Sequence, residues 1–353
     1  MSKINLLILF GGISNEHEVS RLSAASILRE IDKTKYEITT VGITKNGKWF
    51  ITEASEDEIK DGSWEEHKSN VETTVRFAGD KKGLFTLDGK EIPIDCVFPV
   101  MHGQHAEDGT MQGLWEIVGI PYVGPGVLAS STGMDKVTAK LVAGKTCVKQ
   151  AKYYATDRFA FSSNPLGELE NIKKCFDNQY PLFIKPANSG SSVGITKAHD
   201  EKELFEGIKI AAEVDHRILI EEGIVGREIE VAVLGNRDPH ASKIGEILSA
   251  NEVYDYEAKY FNENSRTKIV DDLPEEVEKN IRDVAVDIYK SFDCRGLSRV
   301  DFFYTEDGEI VFNEINTLPG FTSISMYPQL WKAMGIEYDE LIDKLIEYAM
   351  EEN

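Results

Sequence analysis

Four polar residues near the C-terminal end of the sequence could share one piece of chemistry: Arg299, Asp301, Glu314 and Asn316. Residues 297–304 and 309–316 read as two strands with alternating faces, with Thr-Glu-Asp-Gly between them, which predicts a β-hairpin. An even-length loop centred on Glu306-Asp307 pairs position 301 with 312 and 299 with 314. It puts Arg299, Asp301 and Phe303 on one face with Ile310, Phe312, Glu314 and Asn316. Two carboxylates and an amide oxygen repel one another there unless a cation lies between them. Oxygen ligands alone suit Mg²⁺, with phosphate oxygens completing its shell. The competing reading is a solvated polar face. Against it stand the Val, Ile and Phe around these residues and the polar turn Asn316-Thr317-Leu318-Pro319-Gly320 that follows.

The elements that must position this hairpin belong to a long chain. Its 353 residues are too many for one ordinary core and allow two or three domains. No apolar run reaches the ~18 residues of a membrane span. Residues 4–10 end at Phe10-Gly11-Gly12 rather than at a small-residue cleavage site, so no signal peptide is expected. A net charge of −22 repels nucleic acid, so a phosphate ligand would need local Lys, Arg, backbone amides and metal. The four cysteines, Cys96, Cys147, Cys175 and Cys294, form no CxxC pair and read as reduced thiols of a cytoplasmic protein.

The chain opens with an apolar strand (residues 4–10), a Gly-Gly turn and a helix that Ser14 or Asn15 could cap. That order predicts a doubly wound α/β sheet, whose ligands lie at the carboxyl ends of its strands. Glu16 falls in the first helical turn, either facing a ligand or complementing the helix dipole. Residues 37–43 and 47–51 read as strands, and residues 55–80 as a weakly patterned acidic excursion. His102 follows the buried strand 96–100, again at a carboxyl end. GGISNEHE is not GxGxxG, which disfavours a dinucleotide-dependent dehydrogenase. Residues 120–126 read as a linker and 130–142 as a helix containing Asp135-Lys136.

Strand 180–186 carries Lys185 into Ala-Asn-Ser-Gly-Ser-Ser-Val-Gly, which is either a flap whose amides cradle phosphate or a flexible turn. Strands 217–222 and 228–234 follow, the first ending in Glu221-Glu222. Residues 251–270 form a polar loop with the length of a lid. Residues 274–292 read as an amphipathic helix and residues 338–350 as a closing helix.

Several of these pieces together resemble one family. They are FGGISNEHEVS (10–20), FPVMHGQHAEDGTMQG (98–113), GIPYVGPGVLAS (119–130) with MDK (134–136), IKPANSGSSVGI (184–195), YDYEAKY (254–260) and the segment from RVDFFY (299–304) through NEINTLPGFTSISMYP. In this order, from residue 4 to about 345, they resemble the D-alanine–D-alanine ligases, enzymes of the ATP-grasp fold. The resemblance implies a three-domain α/β and α+β architecture. Its parts are an N-terminal doubly wound substrate domain (1–124), a central ATP-grasp domain (125–221) and a C-terminal catalytic domain (222–353). ATP would lie between the last two.

The resemblance also implies roles. Asp301, Glu314 and Asn316 would hold two Mg²⁺ ions, with Mn²⁺ as a substitute, and a monovalent cation could assist. Lys136 and Lys185 would neutralise ATP phosphates, and Ser192 would cover them. Glu221 would meet adenine and Glu228 ribose. Arg299 and the Gly320 amide would hold the tetrahedral oxyanion. Glu16 would bind the first D-alanine's ammonium beside His102, with Ser191 and Tyr260 linking Glu16 to the lid. Lys259 and Ser325 would take the second D-alanine's carboxylate. Tyr260 and Met326 favour D-alanine there. The partners implied are two D-alanines and ATP, in a cytoplasmic homodimer with no nucleic acid or membrane. Asn188-Ser189 departs from the family's usual bulkier residue. Two rivals are kept: a D-alanine–D-serine ligase, and a non-catalytic ATP-binding regulator of the same fold.

Overall fold

The computed structural model describes residues 3–248, 266–322 and 324–351. Lys259 and Tyr260, with most of the expected lid, lie outside the described residues.

Three sheets organise the described residues, and each follows from its own sequence pattern. Ile4–Gly11 is a nearly unbroken apolar run and takes the interior position such a run requires. It pairs in parallel with Tyr36–Ile43 on one side and Cys96–Val100 on the other. Leu6, Ile8 and Phe10 enter one core, Leu7 and Leu9 another. The helix His17–Glu30 packs Ala24, Ile27 and Leu28 into the first of these cores. Its N-cap is Glu16. Ser14, expected as a cap, instead donates its hydroxyl to the His102 carbonyl at 2.7 Å.

The acidic stretch 55–80 is more regular than its pattern suggested. Ser55 and Glu58 form a reciprocal capping box that starts the helix Glu56–Asp61. The strands Val71–Arg76, Gly83–Thr86 and Glu91–Ile92 then extend the first sheet with antiparallel pairs. These segments are only two to six residues long, so little periodicity shows in the sequence. Trp64 anchors them, fully buried with its ring 4.9 Å from that of Phe10.

The second sheet is antiparallel, in the order Thr196–Ala198, Leu182–Pro186, Arg217–Glu222, Tyr153–Asp157. Leu182, Ile184, Ile218 and Ile220 face the helices Pro165–Cys175 and Glu201–Val214. The opposite face therefore presents Phe183, Lys185 and Glu221.

In the third sheet, Arg266–Ile269, His240–Leu248, Arg227–Leu234, Leu297–Tyr304 and Ile310–Asn316 are successively antiparallel. Lys149–Gln150 joins the last of these in parallel. The helix Glu275–Ser291 covers one face through Ile281, Ala285, Ile288 and Tyr289. The other face carries Glu230, Arg299, Asp301, Glu314 and Asn316. The predicted hairpin is there, but its register is corrected. Tyr304 pairs with Ile310 and Phe302 with Phe312, and an irregularity then brings Asp301 opposite Glu314 and Arg299 opposite Asn316. The expected pairs 301 with 312 and 299 with 314 do not form. The five residues 305–309 make the loop odd in length, and the extra residue, Asn313, lets Phe312 turn into the core against Phe302. The polar face survives because the bulge shifts the acids with it.

The helix expected over 130–142 is two helices, Val127–Met134 and Lys136–Ala143. Asp135 breaks them with extended backbone and caps the second by accepting from the Thr138 N–H at 2.7 Å. Finally, the helix Tyr338–Glu351 packs Leu341, Ile342, Leu345 and Ile346 into the core beneath the first sheet, beside Leu318, Phe321 and Tyr327. One apolar core thus joins the N-terminal sheet to the turn that follows the hairpin.

Candidate active site

A cleft of about 320 Å³ lies between the polar faces of the second and third sheets and reaches Glu16 and His102 at the edge of the first. Its lining brings together the described residues that the sequence singled out, namely Glu16, His102, Lys136, Lys185, Ser191, Ser192, Glu221, Glu228, Arg299, Glu314, Asn316, Gly320, Ser325 and Met326. Asp301 lies directly behind this surface, bonded to Arg299 and Asn316.

On the third sheet, Arg299 forms a two-pronged pair with Asp301, Nε to Oδ1 at 2.8 Å and Nη2 to Oδ2 at 2.7 Å. Its Nη2 also lies 3.2 Å from Glu230. Burial opposes the guanidinium's charge, but Asp301 and Glu230 outweigh it and hold the proton firmly. The Asn316 side-chain amide donates to Asp301 Oδ2 at 2.9 Å. Among the described residues no group of three or more His, Cys, Asp or Glu side chains makes a metal cage by itself. The hairpin offers two opposed carboxylates and an amide, all hard oxygen donors. That set fits Mg²⁺, which is commonly held by one or two carboxylates with phosphate oxygens supplying the rest.

Cations face this surface. Lys136, at the start of its helix, donates from Nζ to the Ser189 carbonyl at 2.6 Å and lies 3.9 Å from Glu314 Oε2. Lys185 Nζ is 2.7 Å from Glu221 Oε2, while Lys140 Nζ is 2.5 Å from Oε1 of the same carboxylate. Burial pushes the Glu221 carboxyl up, yet Lys185 and Lys140 prevail and hold it below its usual range. Burial also disfavours charge on Lys185, but Glu221 leads the carboxylates that raise it. Lys140 goes the other way, pushed down by its burial.

Lys140 is a participant that the sequence reading missed. A lysine four residues after Lys136 reads as part of a solvated helical face. The available signal was that i and i+4 share one face, so whatever drew Lys136 inward would draw Lys140 too. Asp135 was noted only for its place in the helix. It accepts from Arg217 at 2.6 Å and from the Asn188 side chain at 3.0 Å, tying the Lys136 helix to the strand Arg217–Glu222 and to the Gly- and Ser-rich loop after Leu182–Pro186.

At the far end, Glu16 is buried and accepts a hydrogen bond from the Ser191 hydroxyl. Ser191 and Ser192 both have positive φ, +49° and +59°, so the flap holds them in a left-handed turn. Two glycines crowd the Glu16 carboxylate. A Cβ at Gly103 would lie 2.4 Å from Oε2 and one at Gly190 2.9 Å from it. His102 is buried, with Nδ1 3.0 Å from the Leu318 carbonyl and 3.8 Å from Glu107. Burial opposes its charge, but Glu107 and then Glu16 raise its pKa. Ser325 accepts from the Thr322 N–H at 3.0 Å, at the entrance to the helix Met326–Lys332.

Two largely antiparallel sheets closing on a cleft, with lysines on one wall and oxygen ligands on the other, define an ATP-grasp protein. The comparisons agree along the whole chain. Residues 5–125 match the D-ala D-ala ligase N-terminus and residues 142–347 the D-ala D-ala ligase C-terminus. The chain is 49% identical to the D-alanine–D-alanine ligase of Acetivibrio thermocellus, covering 99% of this chain and 96% of that one. It is 50% identical to D-alanine–D-alanine ligase B of Clostridium tetani, covering 99% and 94%. Among solved structures it superposes on a D-Ala:D-Ser ligase from Enterococcus faecalis with a TM-score of 0.88 at 38% identity, covering 99% and 100%. The D-alanine–D-alanine ligase of Coxiella burnetii gives 0.85 at 34%, covering 99% and 96%. The chain belongs to the D-alanine–D-alanine ligase family.

Proposed function

We propose that this protein joins two D-alanines into D-alanyl-D-alanine at the expense of ATP, as a cytoplasmic homodimer supplying a peptidoglycan precursor. The observation that carries the reading is the opposition of Lys136 and Lys185 to the Arg299–Asp301–Glu314–Asn316 face, with buried Glu16 at one end of the same cleft. The three sheets support the division into 1–124, 125–221 and 222–353, although helices Val127–Met134 and Lys136–Ala143 pack against the third sheet through Ala129, Ala139 and Ala143.

A carboxylate is a poor acyl donor, so the first D-alanine must be activated. Its carboxylate oxygen attacks the γ-phosphorus of ATP, ADP leaves, and an acyl phosphate forms. The uncharged amine of the second D-alanine then adds to the acyl carbon. The tetrahedral oxyanion collapses with expulsion of phosphate, and the amine nitrogen loses its remaining extra proton to give the amide.

In this reading Glu16 pairs with the first ammonium and orients that substrate, with the Ser191 hydroxyl steadying the carboxylate. His102 lies beside it. Lys136 and Lys185 offset phosphate charge, and Ser192 with its neighbours closes over the phosphates. Glu221 and Glu228 take the adenine and ribose. Two Mg²⁺ ions, held by Asp301, Glu314 and Asn316 and replaceable by Mn²⁺, would supply positive charge against the triphosphate. Arg299, kept charged and rigid by its pair with Asp301, stabilises the oxyanion together with the Gly320 N–H. Lys259 and Ser325 receive the second carboxylate, Tyr260 completes the lid, and Met326 borders the second substrate.

The test is incubation with ATP, Mg²⁺ and D-alanine. Phosphate and dipeptide should form in equal amounts. ATP binding with no phosphate release from any D-amino acid would leave a nucleotide-binding regulator. The likeness to a D-Ala:D-Ser ligase supports a second reading, D-serine as the second substrate. Competition between D-alanine and D-serine at neutral pH separates the two, and D-alanine should win.

A further inference from the structure

We propose that Ser23 is a positioning residue for the turn that stabilises the oxyanion. The inference rests on the reading of Gly320 given above.

Ser23 lies mid-helix in His17–Glu30 and is wholly buried. A buried serine in a helix commonly returns its hydroxyl to the carbonyl four residues back. Ser23 reaches out of its helix instead. Its Oγ accepts from the Phe321 N–H at 3.2 Å, across 298 positions of sequence, and lies 3.2 Å from His102 Nε2. Ser20, three residues earlier on the same helix, turns to the first sheet among the described residues, through the Gly11 N–H and the Val100 carbonyl.

The other side of the histidine completes the device. The Leu318 carbonyl can only accept, so the His102 nitrogen 3.0 Å from it, Nδ1, carries a hydrogen. Nε2 then accepts from the Ser23 hydroxyl when the ring is neutral and donates to it when the ring is charged. In either state Ser23 keeps a lone pair for the Phe321 N–H. The turn Leu318-Pro319-Gly320-Phe321 is therefore held at its first carbonyl by His102 and at its last N–H by Ser23. Pro319 has no N–H to offer. The N–H left to meet an oxyanion is that of Gly320, and its direction is set from both sides by side chains of the N-terminal unit. Phe321 adds a packing anchor, its ring 6.1 Å from that of Phe98. A substrate-side carboxylate carrier and the oxyanion donor are thereby kept in one frame, because Glu16 caps the helix that carries Ser23.

The test uses the full-length enzyme and the variants Ser23→Ala and Ser23→Cys, the second keeping side-chain volume while weakening the acceptor. Loss of a whole oxyanion donor costs a factor of ~10²–10³ in turnover, so a misdirected one should cost about tenfold in kcat with the ATP KM nearly unchanged. A phosphinate dipeptide analogue is tetrahedral and anionic where the product amide is planar. Calorimetry with ADP and Mg²⁺ present should show this analogue binding Ser23→Ala about tenfold more weakly, with D-alanyl-D-alanine binding unaltered. Should Ser23→Ala fail to fold, Ser23→Cys should show the same selective loss in smaller measure. Unchanged analogue affinity, or equal weakening of analogue and product, would overturn the assignment. Wild-type protein that makes no dipeptide removes the functional reading; active wild type matched by both variants removes this inference alone.

Discussion

Lys140 Nζ stands 2.5 Å from Glu221 Oε1, and Lys185 occupies the other oxygen of that carboxylate at 2.7 Å. Lys140 and Glu221 are both almost fully enclosed, at 2% and 6% side-chain exposure, so the Lys140 charge would not be tolerated there without that of Glu221. One acid thus holds two ammonium groups at the floor of the cleft. Were Lys185 to turn to a phosphate, as proposed, Lys140 would remain to balance Glu221.

Lys140→Met should therefore weaken nucleotide binding although Lys140 has no assigned contact with ATP. Glu221 would keep Lys185 as its sole counter-charge and release it to the phosphates reluctantly. The ATP KM should rise about tenfold, equivalent to ~1.4 kcal/mol, with a smaller effect on the D-alanine KM. Steady-state kinetics in each substrate checks this, and an unaltered ATP KM sinks it.

Glu314→Gln keeps the hairpin's shape while removing one of its two opposed charges. Turnover should fall by ~10³-fold or more, because charge stabilisation at the transferring phosphoryl group is the largest contribution such a site makes. The far-ultraviolet circular dichroism and melting temperature should stay close to wild type. Activity retained at ordinary Mg²⁺ concentrations would argue against a metal role for this carboxylate.

Much of this site was legible because chemistry and strand alternation coincide. Arg299, Asp301, Glu314 and Asn316 fall on one face, as the alternation said. The pairing did not follow, since neither the odd loop nor the bulge at Asn313 leaves a mark that alternation can register. Lys140 was missed because lysines on helices are usually solvated, and its burial depends on Glu221, a partner 81 positions further along the chain. The role of Ser23 depends on Phe321, and no local pattern announces so distant a contact. The N-cap also moved: Ser14 looked like the cap by type, but the His102 carbonyl competes for its hydroxyl. Apart from that local bulge, what stayed hidden was long-range polar contact, whereas the hydrophobic periodicity of the long helix Glu275–Ser291 was read directly.

Gly190→Ala tests the crowding at Glu16. The added Cβ would stand 2.9 Å from Glu16 Oε2, closer than real contacts allow, and the carboxylate is a mobile side-chain end that can retreat. Folding should suffer little, but the carboxylate would be displaced from the first substrate's ammonium. A shift of this kind can cost ~10²-fold, so kcat/KM for D-alanine should drop by one to two orders of magnitude while ATP affinity holds. Equal losses for both substrates would mean that the flap itself had been disrupted.

The final prediction concerns pH and the buried pair His102–Glu107. Burial pushes the His102 imidazolium down, but the Glu107 and Glu16 carboxylates outweigh it and raise its pKa in the folded protein. Glu107 is also raised, chiefly by burial. Other described groups set against the imidazole are the Leu318 carbonyl and the Ser23 hydroxyl, neither of which titrates in this range. Both raised groups bind protons more tightly folded than unfolded. Their contribution is therefore complete below the unfolded values and fades as pH rises through the folded ones, and for histidine the unfolded value is about 6.5. The double variant His102→Gln, Glu107→Gln removes the pair without changing its size greatly. Melting temperatures of wild type and variant should be compared from about pH 6 to 8.5, the span over which a raised histidine releases its proton. The wild type should gain on the variant as pH is lowered. A difference that is flat across this range, or that grows with rising pH, would show that the imidazole is not held protonated by its neighbours.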